Sequence, residues 1–226
     1  MPKERDDFHW PDYTACYSQE HWESERNGYT YFLQDREFHI LDDQTVHFNV
    51  NLCRNIRQLI HQIHTHRAGI KTAYECGCGA GWNIRNLTKV FPWLTIDGSD
   101  LSQNQIDFGR DFFARHGDTL IPGLHDGLKT IDMSKAGAPD IVGKAADLVY
   151  CQAVTMHLED GKALQFIQNM MRMSNRYIFM GENFMYHDYP DLLARAGVDR
   201  FFRIETTTAP FSDSCIWMER IAERTA

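Results

Sequence analysis

Apolar and polar positions along this chain repeat at two different periods, and the switches between them mark out its elements. Apolar runs of strand length fall at residues 72–76, 94–98, 119–124, 147–152, 176–182, 201–207 and 214–220. Between them, apolar positions recur at helical spacing over 82–91, 102–116, 161–173 and 189–196. Strands alternating with helices predict a mainly parallel sheet clothed by helices. Pro122 has no N–H to give a ladder, so the 119–124 strand is expected at a sheet edge. The last two runs are joined by the short Ala209-Pro210-Phe211-Ser212-Asp213 turn. Ahead of this alternation lies an aromatic and polar segment with Trp10, Tyr13, Tyr17, Trp22, Tyr29, Tyr31 and Phe32, followed by a helical stretch over 45–66. The expected organisation is an N-terminal helical extension over 1–68 and one α/β domain over 69–226.

Composition narrows the function. The 226 residues carry 23 Lys plus Arg against 31 Asp plus Glu, a net charge of -8, which argues against a large nucleic-acid footprint. Small substrates or protein partners fit better, although Arg54, Arg57 and Arg67 form a local basic group. The opening Met1-Pro2-Lys3-Glu4-Arg5-Asp6-Asp7 is too charged for a secretory signal, and no apolar run is long enough to span a bilayer, so a cytoplasmic location is expected. Six cysteines include no Cys-x-x-Cys pair, and Cys76, Cys78 and Cys151 read as small turn or core residues. His61 and His64 share a helix face, but His66 leaves that stripe and no acid completes a metal site. No metal is expected.

The densest chemistry lies in Tyr74-Glu75-Cys76-Gly77-Cys78-Gly79-Ala80-Gly81-Trp82-Asn83, between a predicted strand and a predicted helix. Glycines at alternate positions let the main chain turn tightly and approach a ligand closely. A dinucleotide site usually reads G-x-G-x-x-G, and Glu75 would repel a pyrophosphate. A carboxylate opening the turn suits a ligand bearing an ammonium or sulfonium group instead. Asp100, at the end of the next strand, is placed to bond a ribose diol. Glu75, Asp100, Asp126 and Gln152 all fall at or just past expected strand ends, where an open α/β sheet binds its ligand.

Glu75-x-Gly77-x-Gly79-x-Gly81, with Asp100 in Gly98-Ser99-Asp100-Leu101-Ser102, resembles the first two motifs of the class I S-adenosylmethionine-dependent methyltransferases. Leu124-His125-Asp126-Gly127 is similar to their third motif, and 146–158 to their fourth strand and the turn after it. The usual Leu-x-Pro-Gly-Gly turn before the fifth strand is replaced by Met173-Ser174-Asn175. The resemblance implies a Rossmann-like fold whose seven-stranded, mostly parallel sheet ends in an antiparallel hairpin. It implies S-adenosylmethionine as methyl donor. Its contacts would come from Glu75, Gly77, Cys78, Gly79, Gly81, Asn83, Asp100, Leu101, Asp126, Gly127 and Gln152, with Asp100 on the ribose, Asp126 on the adenine amine and Glu75 acting through a network. His157 is the first candidate for a base, ahead of Tyr150, Glu182, Tyr186 and His187. Tyr13, Tyr17, Trp22 and Tyr29 are candidate lid residues, with Glu182 and Tyr186 on the substrate side. The expected activity is methylation of an oxygen or nitrogen of a small metabolite. A protein or RNA target, or a non-catalytic binding partner of the same fold, is the alternative. A homodimer is compatible with this fold.

Overall fold

The computed structural model describes residues 36–41, 44–49, 54–115, 124–182, 184–208 and 214–221. A two-stranded antiparallel hairpin, β1 (Arg36–Leu41) and β2 (Gln44–Asn49), precedes helix α1 (Arg54–Thr65). The alternation then runs β3 (Thr72–Cys76), α2 (Trp82–Val90), β4 (Thr95–Asp100), α3 (Gln103–Arg115), a single turn α4 (Leu124–Gly127), β5 (Leu128–Thr130) and α5 (Ala138–Val142). It continues with β6 (Ala146–Gln152), α6 (Asp160–Met173), β7 (Ser174–Glu182), α7 (Tyr189–Ala196), β8 (Phe202–Thr208) and β9 (Ser214–Arg220). The last seven of the nine described strands form one sheet of order β5-β4-β3-β6-β7-β9-β8, parallel from β5 to β7, with β9 antiparallel between β7 and β8. This is the expected seven-stranded sheet with its closing hairpin.

Apolar runs, rather than strict alternation, mark these strands because both sheet faces are covered. Successive residues sort to opposite sides. Ala73, Leu148, Tyr150, Tyr177, Phe179, Cys215 and Trp217 bury against α1, α2 and α3 through Ile56, Leu59, Ile63, Ile84, Leu87 and Ile106. Their neighbours Tyr74, Cys76, Val149, Cys151, Ile178, Met180, Ile216 and Met218 bury on the other face with Phe166, Ile167 and Met170 of α6 and Leu192 and Leu193 of α7.

Three expectations need correction. The helix foreseen over 45–66 starts only at Arg54, because Thr45 to Phe48 pairs with β1, Val46 facing His39 and Phe48 facing Glu37. Val46 and Phe48 are spaced for a strand, at a period of two. The division at residue 68 cuts through a shared core, since α1 packs into the same cluster as Ile70 and the sheet. Among the described residues the edge strand is Leu128–Thr130, while 119–123 of the strand foreseen at 119–124, Pro122 included, lie outside them. Leu124–Gly127 closes into a helical turn, and Gly127 fits where a Cβ would stand 2.4 Å from Asp97 Oδ1.

Contacts at both ends of helix α1 fix it on the sheet. Asn55, at its start, is buried against Gly181 near the end of β7 and accepts a bond from Cys215 Sγ at 3.3 Å. His66, just past its end, stacks on Trp217 and lies tilted against Tyr177. The chain therefore enters α1 at the carboxyl edge of the parallel strands.

Candidate functional site

Strand order reverses between β3 and β6: β4 follows β3 on one side, while β6 lies on the other. Ligands of open α/β sheets bind at such a point, beyond the carboxyl ends of the strands. The glycine turn stands there. The N–H groups of Gly77 and Cys78 both donate to Ser99 O, at 2.7 and 2.9 Å, folding the turn over the end of β4. Gly77, Gly79 and Gly81 have φ of 77°, 53° and 88°, which a side chain would resist. Asp100 locks the arrangement: Oδ2 accepts from Gly79 N–H and Oδ1 from Ser102 N–H, each at 2.8 Å. Burial raises its carboxyl above the ordinary range, against the lowering effect of those bonds. Each oxygen keeps a further lone pair for a ligand hydroxyl. Leu101 follows it on the surface.

Behind the turn lies a support rather than a contact surface. Glu75 is fully buried and accepts from Asn83 Nδ2 at 2.8 Å and from Tyr150 O–H at 3.3 Å. Burial pushes its carboxyl up to about 8, with both hydrogen bonds opposing. The Glu75 carboxyl is thus taken up by Asn83 and Tyr150, and Asn83, expected on the cofactor, gives its amide N–H to Glu75. Tyr150 is committed to the same carboxyl. Cys78 points inward beneath Gly98, leaving its main chain as the part available to a ligand.

The third motif is where the sequence reading fails. Gly98 pairs with Leu128 and Asp100 with Thr130, so Gly127 lies at the level of Asp97. At about 3.3 Å per residue this is roughly 10 Å short of the edge that Asp100 occupies. Asp126 and Gly127 precede the strand and do not join the site. Asp132 does: Ile131 N–H donates to Asp100 O at 2.9 Å, and Asp132 comes next. Its Oδ1 accepts from the N–H and hydroxyl of Ser134, at 2.9 and 2.6 Å, and its side chain remains 28% exposed. The signal was present in Leu128-Lys129-Thr130-Ile131-Asp132-Met133-Ser134, a short apolar alternation ending in an acid, with a serine two places on to form an Asx turn.

β6 supplies the other wall. Tyr150 pairs across β6 with Glu75, so Gln152, two residues on, is level with Gly77. Ala153 then takes φ 51°, the single positive value of a non-glycine among the described residues. A 3-10 turn, Thr155–His157, follows and carries half-buried His157. Glu182 does not face a substrate as expected; its buried carboxylate accepts from the N–H groups of Val154, Thr155 and Met156 at 3.1, 3.0 and 3.2 Å. The His187 ring is also engaged, Nε2 at 2.8 Å from Thr155 O and Nδ1 at 3.0 Å from Asp160 Oδ1. Tyr186 is 44% exposed beside Met185 at 86%, past the end of β7. Tyr13, Tyr17, Trp22 and Tyr29 lie outside the described residues. Among those described, no group of three metal-ligating side chains converges, Cys76, Cys78, Cys151 and Cys215 are buried and in no disulfide, and no helix is long and apolar enough to cross a membrane.

The sheet order and its closing hairpin define a Rossmann-like class I methyltransferase fold. Residues 74–176, from the glycine turn to the start of β7, match the family described as "Methyltransferase domain". Over those residues the chain is similar to methyltransferase domains, and its fold is that of the class I S-adenosylmethionine-dependent methyltransferases. Magnesium protoporphyrin IX methyltransferase from Synechocystis PCC 6803, solved with bound SAH, is similar at TM-score 0.60 and 16% identity, covering 92% of this chain and 97% of that one. An O-methyltransferase family protein from Burkholderia thailandensis gives TM-score 0.58 at 14% identity over 76% of this chain and 57% of its own. The methyltransferase domain of bacterial CtHen1 gives 0.58 at 12% identity over 75% and 98%. No curated protein matches the chain.

Proposed function

We propose that this protein transfers the methyl group of S-adenosylmethionine to an oxygen or nitrogen of a small-molecule metabolite. The observation that carries the reading is the turn from Gly77 to Gly81, held in left-handed conformations and clamped through Gly79 N–H by Asp100 at the point where strand order reverses. The donor set fits this cofactor. Its ammonium, ribose diol and adenine amine all present hydrogens, and the edge presents acceptors: Asp100 and Asp132 past adjacent strands, with the main chain of the turn between. A pyrophosphate would meet carboxylates instead.

The bound cofactor supplies an electrophilic methyl on a sulfonium sulfur, open to in-line displacement. The chain's residues align and shield. Asp100 takes the ribose hydroxyls, Asp132 the adenine amine, and the main chain at Gly77 and Gly79 the methionine end. Leu101 and Gln152 line the walls. His157, on the turn that follows β6, is assigned the proton that an oxygen or nitrogen acceptor gives up. The acidic balance of the chain favours a small acceptor over nucleic acid. Two similar structures, a magnesium protoporphyrin IX methyltransferase and an O-methyltransferase family protein, support an acceptor of this kind.

Calorimetric titration with S-adenosylmethionine, S-adenosylhomocysteine and NAD tests the reading. Micromolar binding of both adenosyl ligands without NAD is expected, followed by an acceptor screen. Binding of NAD alone overturns it.

A further inference from the structure

The backbone of the turn between β6 and α6 is held by side chains, and one carboxylate dominates. Glu182 Oε1 accepts from Val154 N–H, Thr155 N–H and, at 3.4 Å, Cys151 Sγ. Oε2 accepts from Met156 N–H and, at 3.4 Å, Tyr189 O–H. The same Tyr189 oxygen is 2.9 Å from Thr155 Oγ1. On the opposite side of the turn, His187 Nε2 faces Thr155 O. Three consecutive amides pointing at one buried carboxylate are charge-assisted bonds in a buried site, each stronger than a neutral pair.

The grip coincides with strain. Ala153 is left-handed without being glycine, a conformation that persists only where its surroundings over-determine it. Its N–H donates to Gly181 O at 2.8 Å, one residue before Glu182, so the end of β7 holds both the strained residue and the three after it. What is held also touches the glycine turn. A Cβ on Gly77 would stand 2.5 Å from Val154 Cγ2, so Val154 is pressed against the backbone at the proposed methionine end.

We propose that Glu182 is a positioning residue for methyl transfer, its carboxylate fixing the 153–157 turn so that Val154 seats on Gly77 and His157 keeps its place relative to the cofactor. This rests on the methyltransferase reading for its function, though not for its geometry. Alignment is the main task in an in-line displacement, and small misplacements of the walls are costly. Glu182 touches neither reacting atom. Its effect passes through backbone amides, and Tyr189 assists by bonding both Glu182 and Thr155.

Amide hydrogen exchange on the ligand-free full chain, wild type against Glu182→Gln, is the test. Glutamine keeps the shape but sets an NH2 group against either Met156 N–H or the Val154 and Thr155 N–H pair and removes the charge facing all three, so a mere packing role is preserved and an anion's role is lost. Exchange at Val154, Thr155 and Met156 is expected to speed up by about 10-fold or more, while the amides of β3 and α2 keep wild-type rates. With an acceptor from the screen, kcat should fall roughly 10- to 100-fold with the KM for S-adenosylmethionine changed less than about 3-fold. Wild-type exchange at the three amides, or wild-type kcat, overturns the proposal. If Glu182→Gln does not fold, Tyr189→Phe replaces it: faster exchange confined to the same amides supports the proposal, and unchanged exchange overturns it. Failure of the wild type to bind S-adenosylhomocysteine would overturn the methyltransferase reading separately, because the exchange experiment uses no ligand.

Discussion

Glu75→Gln isolates the buried acid behind the glycine turn. The carboxyl has no exposure, two hydrogen-bond donors and a pKa pushed up to about 8 from an ordinary 4.5. Because the folded value is the higher one, this group's contribution to stability is complete below the unfolded value and is lost as pH rises through 8. Between pH 5 and pH 9 the unfolded chain has largely released the proton while the folded chain releases it only near the top of the range. At about 1.4 kcal/mol per pH unit the loss integrates to roughly 4 kcal/mol. Glutamine matches the neutral acid in shape, accepts from Asn83 and can donate to the Tyr150 oxygen, yet never ionises. Urea denaturation at a series of pH values should show wild-type stability falling more steeply than that of the variant, the gap widening by about 4 kcal/mol from pH 5 to pH 9. Glu182, also raised by burial, is present in both proteins and cancels in the difference. Parallel curves would refute the reasoning. Affinity for S-adenosylhomocysteine should stay within a few-fold, since the carboxyl faces Asn83 and Tyr150.

Asp100→Ala should weaken S-adenosylhomocysteine binding by on the order of 1 to 3 kcal/mol, about 5- to 150-fold in Kd by calorimetry; wild-type affinity would remove the ribose assignment. Asp132→Ala is expected to weaken the same titration by a comparable amount, whereas Asp126→Ala leaves it unchanged, and the reverse pattern would restore the third motif to 124–127. Gly77→Ala combines a φ of 77° with a contact of 2.5 Å to Val154. A loss of roughly 2 to 4 kcal/mol in urea unfolding is expected. His157→Ala should slow turnover with the cofactor affinity kept; unchanged turnover on the true acceptor makes His157 structural.

Most of the sheet was legible because its signals are local. Strands buried on both faces need continuous apolar runs, and 72–76, 147–152, 176–182 and 214–220 supply them within two residues of the observed bounds. The glycine turn was equally readable, since positive φ at Gly77, Gly79 and Gly81 is a property of the residues themselves. The hairpin at 36–49 was hidden by a pattern short enough to pass for the start of the helix that follows it.

The site beyond the turn was decided elsewhere. Asp126 and Asp132 are both acids near a short strand, and only the pairing of Asp100 with Thr130 determines which reaches the edge. A shift of one residue moves a side chain about 3.3 Å and to the opposite face. Glu182 likewise reads as a substrate-side carboxylate at a strand end, yet the fold surrounds it as it does Glu75. Their donors come from Asn83 and Tyr150 in one case and from Val154 to Met156 and Tyr189 in the other. Local sequence therefore determined where the chain turns and which segments are strands, because those follow from backbone sterics and periodicity. Tertiary structure alone decided which carboxylates face a ligand and which hold the walls, because those partners lie up to 75 residues apart and meet only when the strands pair.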